Sequence, residues 1–263
     1  MIDVYSVLSQ VREKKPLVHH LTNWVTIYDC AQITRATGAL PVMAHAPEEV
    51  EEMVSLAGAL VLNIGTLTTE FIDSMVLAGR KANEKGIPVI LDAVGAGATK
   101  FRTEKSLELM EKVRFAVIKG NSSEIGTLAG AKALTRGVEA ESVEGSLKEL
   151  AAKLAKERNC AVVITGPEDI VSNGEKTFGV KNGHKMMGKV VGTGCMAASV
   201  LGAFNAVETD SLKASVSALV AYEIAGEIAA QKTNKPMQFK LELMDSLALL
   251  KKEDLKKAKI QEL

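Results

Sequence analysis

The stretch that decides the fold is IPVILDAVGAG, residues 87–97. Its first five residues are apolar and rich in β-branched side chains, which is typical of a strand buried on both faces inside a parallel sheet. Polar and glycine residues follow at once, as they do where such a strand ends. Three more runs of this kind occur, at residues 59–62, 115–118 and 160–164.

Helical patterns lie between these runs. Apolar residues at three- and four-residue spacing predict helices at residues 68–85, 104–112, 123–129 and 145–158. Alternation of strands and helices predicts an α/β fold, with a central, mostly parallel sheet flanked by helices on both sides. Within residues 170–180, the Asn173-Gly174 pair predicts an antiparallel hairpin.

The C-terminal third has a different character. Residues 195–231 are rich in alanine and predict helix with a break near residues 208–210, and another helix is expected near Pro236. The charged residues 251–263 are expected to form the solvated end of a helix. Because no linker, repeat or shift in composition interrupts the chain, we expect residues 1–263 to form a single domain.

Composition excludes several functional classes. The chain of 263 residues carries 32 Lys and Arg against 32 Asp and Glu, and only 4% of its residues are aromatic. A neutral chain with few aromatic side chains is not expected to bind nucleic acid or an anionic membrane. No apolar run approaches the roughly 20 residues of a membrane helix, and we do not expect the polar N-terminal residues to act as a signal peptide.

The cysteines and histidines give no metal motif. The cysteines, Cys30, Cys160 and Cys195, are an odd number, lie far apart and form no CxxC pair. The four histidines likewise lack the spacing of metal ligands. We therefore expect a cytoplasmic protein with free thiols.

Candidate site residues follow the predicted strands. In open parallel sheets, ligands bind at the carboxyl ends of the strands, so polar and glycine residues at those positions are candidates. Each of them alone could equally be a helix cap or a turn former. These candidates are Asn63, Gly65, Asp92, Gly95, Lys119, Asn121, Thr165 and Gly166.

The sharpest motif is GKVVGTGCMAA, residues 188–198, in which a glycine-rich loop leads into an alanine-rich helix. Backbone N–H groups at a helix N-terminus can hold a phosphate or a developing oxyanion, although a packing turn is the alternative. The motif matches neither a phosphate-binding GxxxxGK[ST] loop nor a dinucleotide-binding GxGxxG loop. The position of Cys195 predicts a favoured thiolate, the alternative being a small apolar residue under the loop.

Taken together, the motifs resemble those of the hydroxyethylthiazole kinase family, within the ribokinase-like superfamily. The resemblance spans nearly the whole chain, and the cysteine after Gly192-Thr193-Gly194 distinguishes this family from sugar kinases, which usually have aspartate there. The matching motifs are PLVH at 16–19, PVMA at 41–44, LVLNIGTL at 60–67, DAVGAGAT at 92–99, KGNSSE at 119–124, ITG at 164–166 and GTGC at 192–195.

The resemblance implies a ribokinase-like three-layer sandwich and phosphorylation of the hydroxyl of 4-methyl-5-(2-hydroxyethyl)thiazole, a step of thiamine salvage. It also implies ATP as phosphate donor, Mg²⁺, and a homotrimer with active sites between subunits. Asp92 and Glu124 would serve the metal, since carboxylate oxygens suit Mg²⁺. Glu124 could instead, or in addition, form a capping box with Asn121.

The same resemblance implies roles for further residues. Cys195 would orient, or deprotonate, the substrate hydroxyl. The thiazole would contact Met43, Gly192 and Asn23, although a methionine in this setting is commonly a core residue. ATP would contact Lys119, Asn121, Thr165 and Gly194.

The chain also departs from the family pattern. Lys119 stands where the family usually has arginine, which preserves the charge but removes the guanidinium fork. His20, Ala93 and Val191 replace the usual asparagine, proline and threonine. None of these changes removes a charged catalytic group, but together they leave room for altered substrate tolerance.

Two alternative functions remain open at this stage. The first is another ribokinase-like enzyme, such as a hydroxymethylpyrimidine kinase or an ATP-dependent dehydratase acting on damaged nicotinamide cofactor. The second is a non-catalytic protein that binds a thiazole or a nucleotide.

Overall fold

The computed structural model describes residues 2–130 and 140–263. Helices and strands alternate along most of these ranges. The elements before the gap are α1 (Val4–Lys14), β1 (Leu17–Leu21), α2 (Ile27–Thr37), β2 (Leu40–Val42), α3 (Val50–Ser55), β3 (Ala59–Asn63), α4 (Thr69–Lys85), β4 (Val89–Asp92), α5 (Lys100–Lys112), β5 (Val117–Asn121) and α6 (Ser122–Leu128). Those after it are α7 (Ala140–Arg158), β6 (Ala161–Thr165), β7 (Asp169–Ser172), β8 (Thr177–Val180), α8 (Thr193–Asn205), α9 (Ser211–Lys232), α10 (Pro236–Ala248) and β9 (Ile260–Glu262).

The strands of the described ranges form one sheet, in the order β2-β1-β3-β4-β5-β6-β7-β8-β9. Strands β1 to β6 are parallel, whereas β7, β8 and β9 join antiparallel. The predicted mostly parallel sheet is confirmed. Its order reverses at β1, which has β2 on one side and β3 on the other. In sheets of this kind, the carboxyl ends of the strands at such a reversal form a crevice for ligands.

Helices cover both faces of the sheet. Alternate residues of the central strands point to opposite faces, so that Val61 and Ile90 enter one core and Leu62 and Leu91 the other. The first core is shared with α1, α2, α8, α9 and α10, and the second with α3 to α7. Each fully buried aliphatic side chain stabilises the fold by about 1.5–3 kcal/mol. This arrangement is the three-layer sandwich that the family resemblance implies. No helix in the described ranges is long and apolar enough to cross a membrane.

The helix predictions are confirmed with small shifts at the ends. Helix α4 begins after Thr68, whose hydroxyl accepts the N–H of Phe71 at 3.1 Å. Helix α5 begins earlier than predicted, at Lys100, because the Thr99 hydroxyl accepts the N–H of Arg102 at 3.2 Å and so caps the helix there. The predicted break near residues 208–210 and the helix beginning at Pro236 are both present.

At the C-terminal end, one prediction is confirmed and one is wrong. The hairpin around Asn173-Gly174 is present as β7 and β8. Residues 251–263 do not form the end of a helix: a 3₁₀ turn at Asp254–Lys257 leads into β9, which pairs with β8. The physical reason is that Leu255 is buried in the core and the outer edge of β8 accepts a further strand.

Strands β1 and β2 carry no strong strand signal in the sequence, because β2 has three residues and two histidines interrupt β1. Both histidines are buried. His19 Nε2 lies 2.6 Å from the Ala44 carbonyl oxygen, which ties the segment after β2 to β1. His20 Nδ1 lies 3.0 Å from the Val18 carbonyl oxygen. These imidazoles are therefore part of the hydrogen-bonded interior of the sheet.

Burial of His20 makes the stability of the fold sensitive to pH. Burial lowers the pKa of His20 to about 4, whereas an unfolded histidine titrates near 6.5. Between these values the unfolded chain binds the additional proton, so the free energy of unfolding falls as the pH decreases. The loss attributable to His20 reaches about 3 kcal/mol near pH 4.

Urea unfolding at pH 7.5 and pH 5 measures this effect. We expect the wild type to lose stability at pH 5 and the His20→Asn variant to lose measurably less, because its residue 20 does not titrate. An equal loss in the two proteins would contradict this account of His20.

Candidate active site

The site begins with two asparagines at the sheet's reversal. Asn23 follows β1 and Asn63 ends β3, and both are buried. The Asn23 amide donates to Asn63 Oδ1 at 3.0 Å and to Cys195 Sγ at 3.3 Å. Its own Oδ1 accepts the backbone N–H and the hydroxyl of Thr26, both at 3.1 Å. These contacts fix the orientation of the Asn23 amide toward the thiol.

The chain of contacts continues to a buried ion pair. Asn63 Nδ2 donates to Asp92 Oδ2 at 2.6 Å, and Lys119 Nζ donates to Asp92 Oδ1 at 2.9 Å. The Asp92 side chain is 0% exposed and that of Lys119 is 5% exposed. Burial raises the pKa of Asp92, with Lys119 opposing and Glu124 adding to the rise. Burial lowers the pKa of Lys119, but the charge and hydrogen bond of Asp92 raise it above its usual value.

Glu124 has the capping role that the sequence offers as one alternative. Its Oε2 accepts the Asn121 N–H at 2.7 Å, and Asn121 Oδ1 accepts the Glu124 N–H at 2.9 Å. Its other oxygen, Oε1, accepts the N–H of Gly95 at 2.7 Å. The carboxylate therefore joins the loop after β4 to the start of α6.

The donors at this edge of the sheet fit a magnesium ion that is bound together with a nucleotide. Asp92 and Glu124 place two carboxylates against the single ammonium group of Lys119, which leaves one excess negative charge. Each engaged carboxylate oxygen keeps a second lone pair for a water molecule or an ion. Within the described ranges, no three His, Cys, Asp or Glu side chains group to hold a metal by themselves. Mg²⁺ is commonly held in this way, by one or two carboxylates, waters and substrate phosphates.

The glycine-rich loop ends in the first turn of α8. Gly192 is the N-cap, with a φ of 96°, a left-handed conformation that side chains disfavour. A Cβ at Gly192 would lie 2.7 Å from Thr26 Cγ2, and one at Gly194 would lie 3.2 Å from Lys119 Nζ. The first turn thus packs against the Asn23 segment on one side and against Lys119 on the other. Its backbone N–H groups have no intrahelical acceptors and suit an anion.

The expectation of a favoured Cys195 thiolate is not supported. Burial raises the pKa of Cys195, and the negative charge of Asp92 adds to the rise. Hydrogen bonds from Thr26 and Asn63 and the charge of Lys119 act in the opposite direction but do not outweigh these effects. The group is therefore a thiol at neutral pH. Burial likewise raises the pKa of Cys30 to about 11 and that of Cys160 to about 12, as expected for unreactive thiols.

A cavity of about 530 Å³ opens beside α8. Thr165 and Gly194, both predicted to contact the nucleotide, lie in its wall, and Gly166, Thr193, Asp169 and Tyr222 also line it. This volume is in the range of small-molecule sites. Lys119 Nζ lies next to Gly194, a residue of the cavity wall.

The structure thus brings most of the predicted residues into two adjoining groups. Asn23, Gly192 and Cys195 form one, and Lys119, Thr165 and Gly194 form the other, with Asp92 between them. Met43 is half-buried on the segment after β2, where the next residue, Ala44, contacts the His19 imidazole of β1. Asn121 pairs with Thr165, a residue of the cavity wall, across β5 and β6, and its side chain is engaged in the capping box.

Two positioning residues, Arg102 and Tyr222, carry no predicted role, and for a third, Asn63, the sequence predicts only a place among the strand-end candidates. Asn63 is only one of several polar strand ends in the sequence, yet it connects Asn23 to Asp92. Arg102 donates to the carbonyl oxygens of Ile64 and Gly65 at 2.9 and 2.8 Å and to that of Val94 at 3.1 Å, holding two loops together. Tyr222 donates to the Thr193 carbonyl oxygen at 2.9 Å. An arginine soon after a strand-end loop is a usable signal, but nothing near Tyr222 in the sequence indicates its partner.

Comparison with known proteins gives a consistent result. The model of the hydroxyethylthiazole kinase family matches residues 8–253. A hydroxyethylthiazole kinase of Methanosarcina acetivorans is 55% identical over 252 residues, which cover 96% of this chain and 97% of that protein.

Solved structures agree with this match. A hydroxyethylthiazole kinase protein from Pyrococcus horikoshii superposes with a TM-score of 0.92 at 46% identity, covering 99% of this chain and 98% of that one. A ribokinase-like superfamily protein from Enterococcus faecalis, 12% identical, has a TM-score of 0.64 over 91% of this chain and 88% of its own. The second likeness concerns the fold alone, which the two chains share.

The buried ion pair predicts a specific stability pattern. Lys119→Met should lower the free energy of unfolding by about 3–5 kcal/mol, because Asp92 then remains buried without its cationic partner. The double variant Lys119→Met, Asp92→Asn should lose much less, since no unpaired charge remains. Chemical denaturation of the single and double variants measures this difference.

Lys105→Met is the matched control, since Lys105 pairs with Glu108 at 2.7 Å near the surface of α5. It should change stability little. If Lys119→Met were as stable as this control, the Asp92–Lys119 pair would not have the role described.

Proposed function

The chain belongs to the hydroxyethylthiazole kinase family, and we infer from this membership that it phosphorylates the hydroxyl group of hydroxyethylthiazole. We propose that residues 1–263 act as one kinase domain with ATP as donor and Mg²⁺ as counter-ion, in thiamine salvage. The observation that carries the proposal is the position of the first turn of α8. It lies between a group of residues suited to an alcohol, around Asn23 and Cys195, and a nucleotide-sized cavity beside Lys119.

The residues of the proposed site have separate roles in phosphoryl transfer. The acceptor binds beside Asn23, Met43 and Gly192, with its hydroxyl near Cys195. The donor occupies the cavity beside Thr165 and Gly194, and its phosphates approach Lys119. Phosphoryl transfer depends mainly on positioning and on neutralising charge. Asn121 remains a proposed nucleotide contact, through groups that the capping box does not use.

Transfer forms a bond between the acceptor oxygen and the γ-phosphorus and breaks the bond from that phosphorus to the β–γ bridging oxygen. ADP leaves with the electron pair. The N–H groups of the first turn of α8 and the Lys119 ammonium stabilise the charge on the transferred group. Asp92 and Glu124 would hold Mg²⁺, which when bound neutralises phosphate charge.

Cys195 orients the acceptor rather than ionising first. As a thiol at neutral pH it can hydrogen-bond to the hydroxyl oxygen while the Asn23 amide fixes Sγ. The hydroxyl proton leaves late, to solvent or to a phosphate oxygen, because the bond to phosphorus forms late in a loose transition state.

We also propose a homotrimer with active sites between subunits, and a cytoplasmic location. Large apolar side chains are exposed beside Asn23, at Val25 and Tyr28, and on α10, at Met237 and Leu241. An ion pair of 3.0 Å between Lys240 and Asp29 connects α10 to α2, the helix that begins just after Val25 and carries Tyr28. Such exposed apolar groups favour contact with another subunit. The free thiols favour a reducing compartment.

A direct assay tests the function. Wild-type protein with ATP, Mg²⁺ and hydroxyethylthiazole should form the phosphorylated thiazole, detected by mass spectrometry. Asp92→Asn should lower kcat by about a hundredfold or more, since it removes a carboxylate that would hold Mg²⁺ and that positions Lys119. Circular dichroism checks that this variant is folded, because it leaves Lys119 buried without its carboxylate partner. Hydroxymethylpyrimidine and hydrated nicotinamide cofactor serve as competing substrates. Turnover of one of these in place of the thiazole, or tight thiazole binding with no transfer by the wild type, would refute the assignment.

Substitutions of Cys195 test its role in orientation. Cys195→Ser should turn over slowly, because serine preserves a hydrogen-bonding group in a different geometry. Cys195→Asp should keep or improve activity, since a carboxylate can also orient the hydroxyl and accept its proton. Steady-state kinetics give the result, with circular dichroism as the check on folding. Complete loss of turnover in a folded Cys195→Asp protein would contradict the proposed contact with the hydroxyl.

A further inference from the structure

Three aromatic rings meet beside the acceptor end of the site. The Trp24 indole lies edge-on to the His45 imidazole, with ring centroids 4.8 Å apart, and tilted against the Phe71 ring at 5.4 Å. The His45 and Phe71 rings are 6.4 Å apart. Phe71 is buried at the start of α4, whereas Trp24 is 47% exposed. The indole is therefore supported by two rings and still presents half of its surface.

The chain segments that carry these rings also carry the acceptor-site residues. Trp24 directly follows Asn23, whose amide contacts Cys195 Sγ. His45 lies two residues after Met43, and its Nδ1 is 3.4 Å from the Met43 carbonyl oxygen. The ring contact between Trp24 and His45 thus joins the two segments on which the proposed acceptor contacts lie.

The backbone of the cluster is held in place. The backbone N–H of Trp24 donates to the Thr66 hydroxyl at 3.0 Å, and this bond ties the Trp24 segment to the loop after β3. The His19 imidazole contacts the Ala44 carbonyl oxygen, which holds the segment before His45. An exposed indole that is fixed in this manner loses little conformational freedom when a ligand covers it.

We propose that Trp24, supported by His45 and Phe71, forms the wall against which the heteroaromatic ring of the acceptor packs. This inference rests on the proposed function and assigns specificity to one residue of its acceptor site. A flat aromatic ring packs well on the supported indole, whereas an aliphatic alcohol with the same hydroxyl does not. Trp24 binds the heteroaromatic ring of the acceptor, and the residues around Cys195 take part in the transfer of the phosphoryl group.

The sequence supplies its own probe, because Trp24 is its only tryptophan. Titration of the wild type with hydroxyethylthiazole, with no nucleotide present, should change the tryptophan emission saturably. The apparent dissociation constant should agree with the KM for the thiazole within about threefold. An emission that is unchanged while isothermal calorimetry shows thiazole binding would overturn the proposal.

Substitutions separate ring binding from transfer. Trp24→Ala should raise KM for the thiazole about tenfold with kcat within about twofold, and Trp24→Phe should restore most of the affinity. Phe101→Ala is the matched control: Phe101 is a similarly exposed ring, at 43%, on α5. It should leave both constants unchanged. For 2-hydroxyethyl compounds with aliphatic groups, Trp24→Ala should change KM little.

The outcomes distinguish this inference from the function on which it rests. If the wild type fails to phosphorylate the thiazole, the proposed function is wrong. If the wild type turns over but Trp24→Ala keeps its KM, the wall is wrong and the function stands. A Trp24→Ala protein with normal KM and a smaller assembly by light scattering would show that Trp24 is a subunit contact instead, which also overturns the proposal.

Discussion

A buried carboxylate, Asp92, lies at the centre of the site, and the arrangement around it follows from the need to compensate its charge. A single ammonium group, that of Lys119, and one side-chain amide, that of Asn63, occupy its two oxygens. Removing a charge from water is costly unless it is paired and hydrogen-bonded, so these neighbours are tightly constrained. Through Asn63 the constraint extends to Asn23, and through Lys119 it extends to Gly194.

Helix α8 places the backbone N–H groups of its first turn beside this network. Its first turn must approach both Thr26 and Lys119, and glycines at 192 and 194 permit those approaches where a Cβ would crowd the neighbours. The N–H groups of that turn then lie between the proposed acceptor residues and the nucleotide-sized cavity. Tyr222, from α9, adds a hydrogen bond to the Thr193 carbonyl and so holds the turn from its other side. Catalysis by such a site depends on groups that are in place before the substrates arrive.

Much of the sheet was predictable from the sequence, but not the reversal in strand order that locates the site. Strands β3 to β6 are apolar on both faces, and this signal is strong. Strand β1 contains two histidines whose burial is possible only because the folded sheet and Ala44 supply hydrogen bonds. The charge of the C-terminal residues suggests the end of a helix. The sequence does not show that β8 has an open edge, which β9 occupies in the structure.

The site residues divide in the same way. Asp92 and Lys119 come directly after apolar runs of the sequence, and the glycine-rich loop precedes a helix, so local pattern indicates them. The role of Asn63 depends on partners 29 and 40 residues away, and only the fold brings them together. The helix N-terminus alone favours a Cys195 thiolate, but burial and the nearby Asp92 carboxylate act against it. A prediction of the thiol pKa from the helix N-terminus alone therefore fails, because burial and the Asp92 charge both oppose that effect.

The contact between Asn23 and Cys195 also has a consequence for how the protein is made. The two residues are 172 positions apart in the chain, and contacts of such long range form late because a large loop must close first. During synthesis, Asn23 and Asp92 leave the ribosome well before Cys195 exists. The parallel strands can assemble in that interval, but the Asn23 amide has no thiol to contact. In a nascent chain, activity should therefore appear only after the segment that carries Cys195 has been made and has joined the parallel strands.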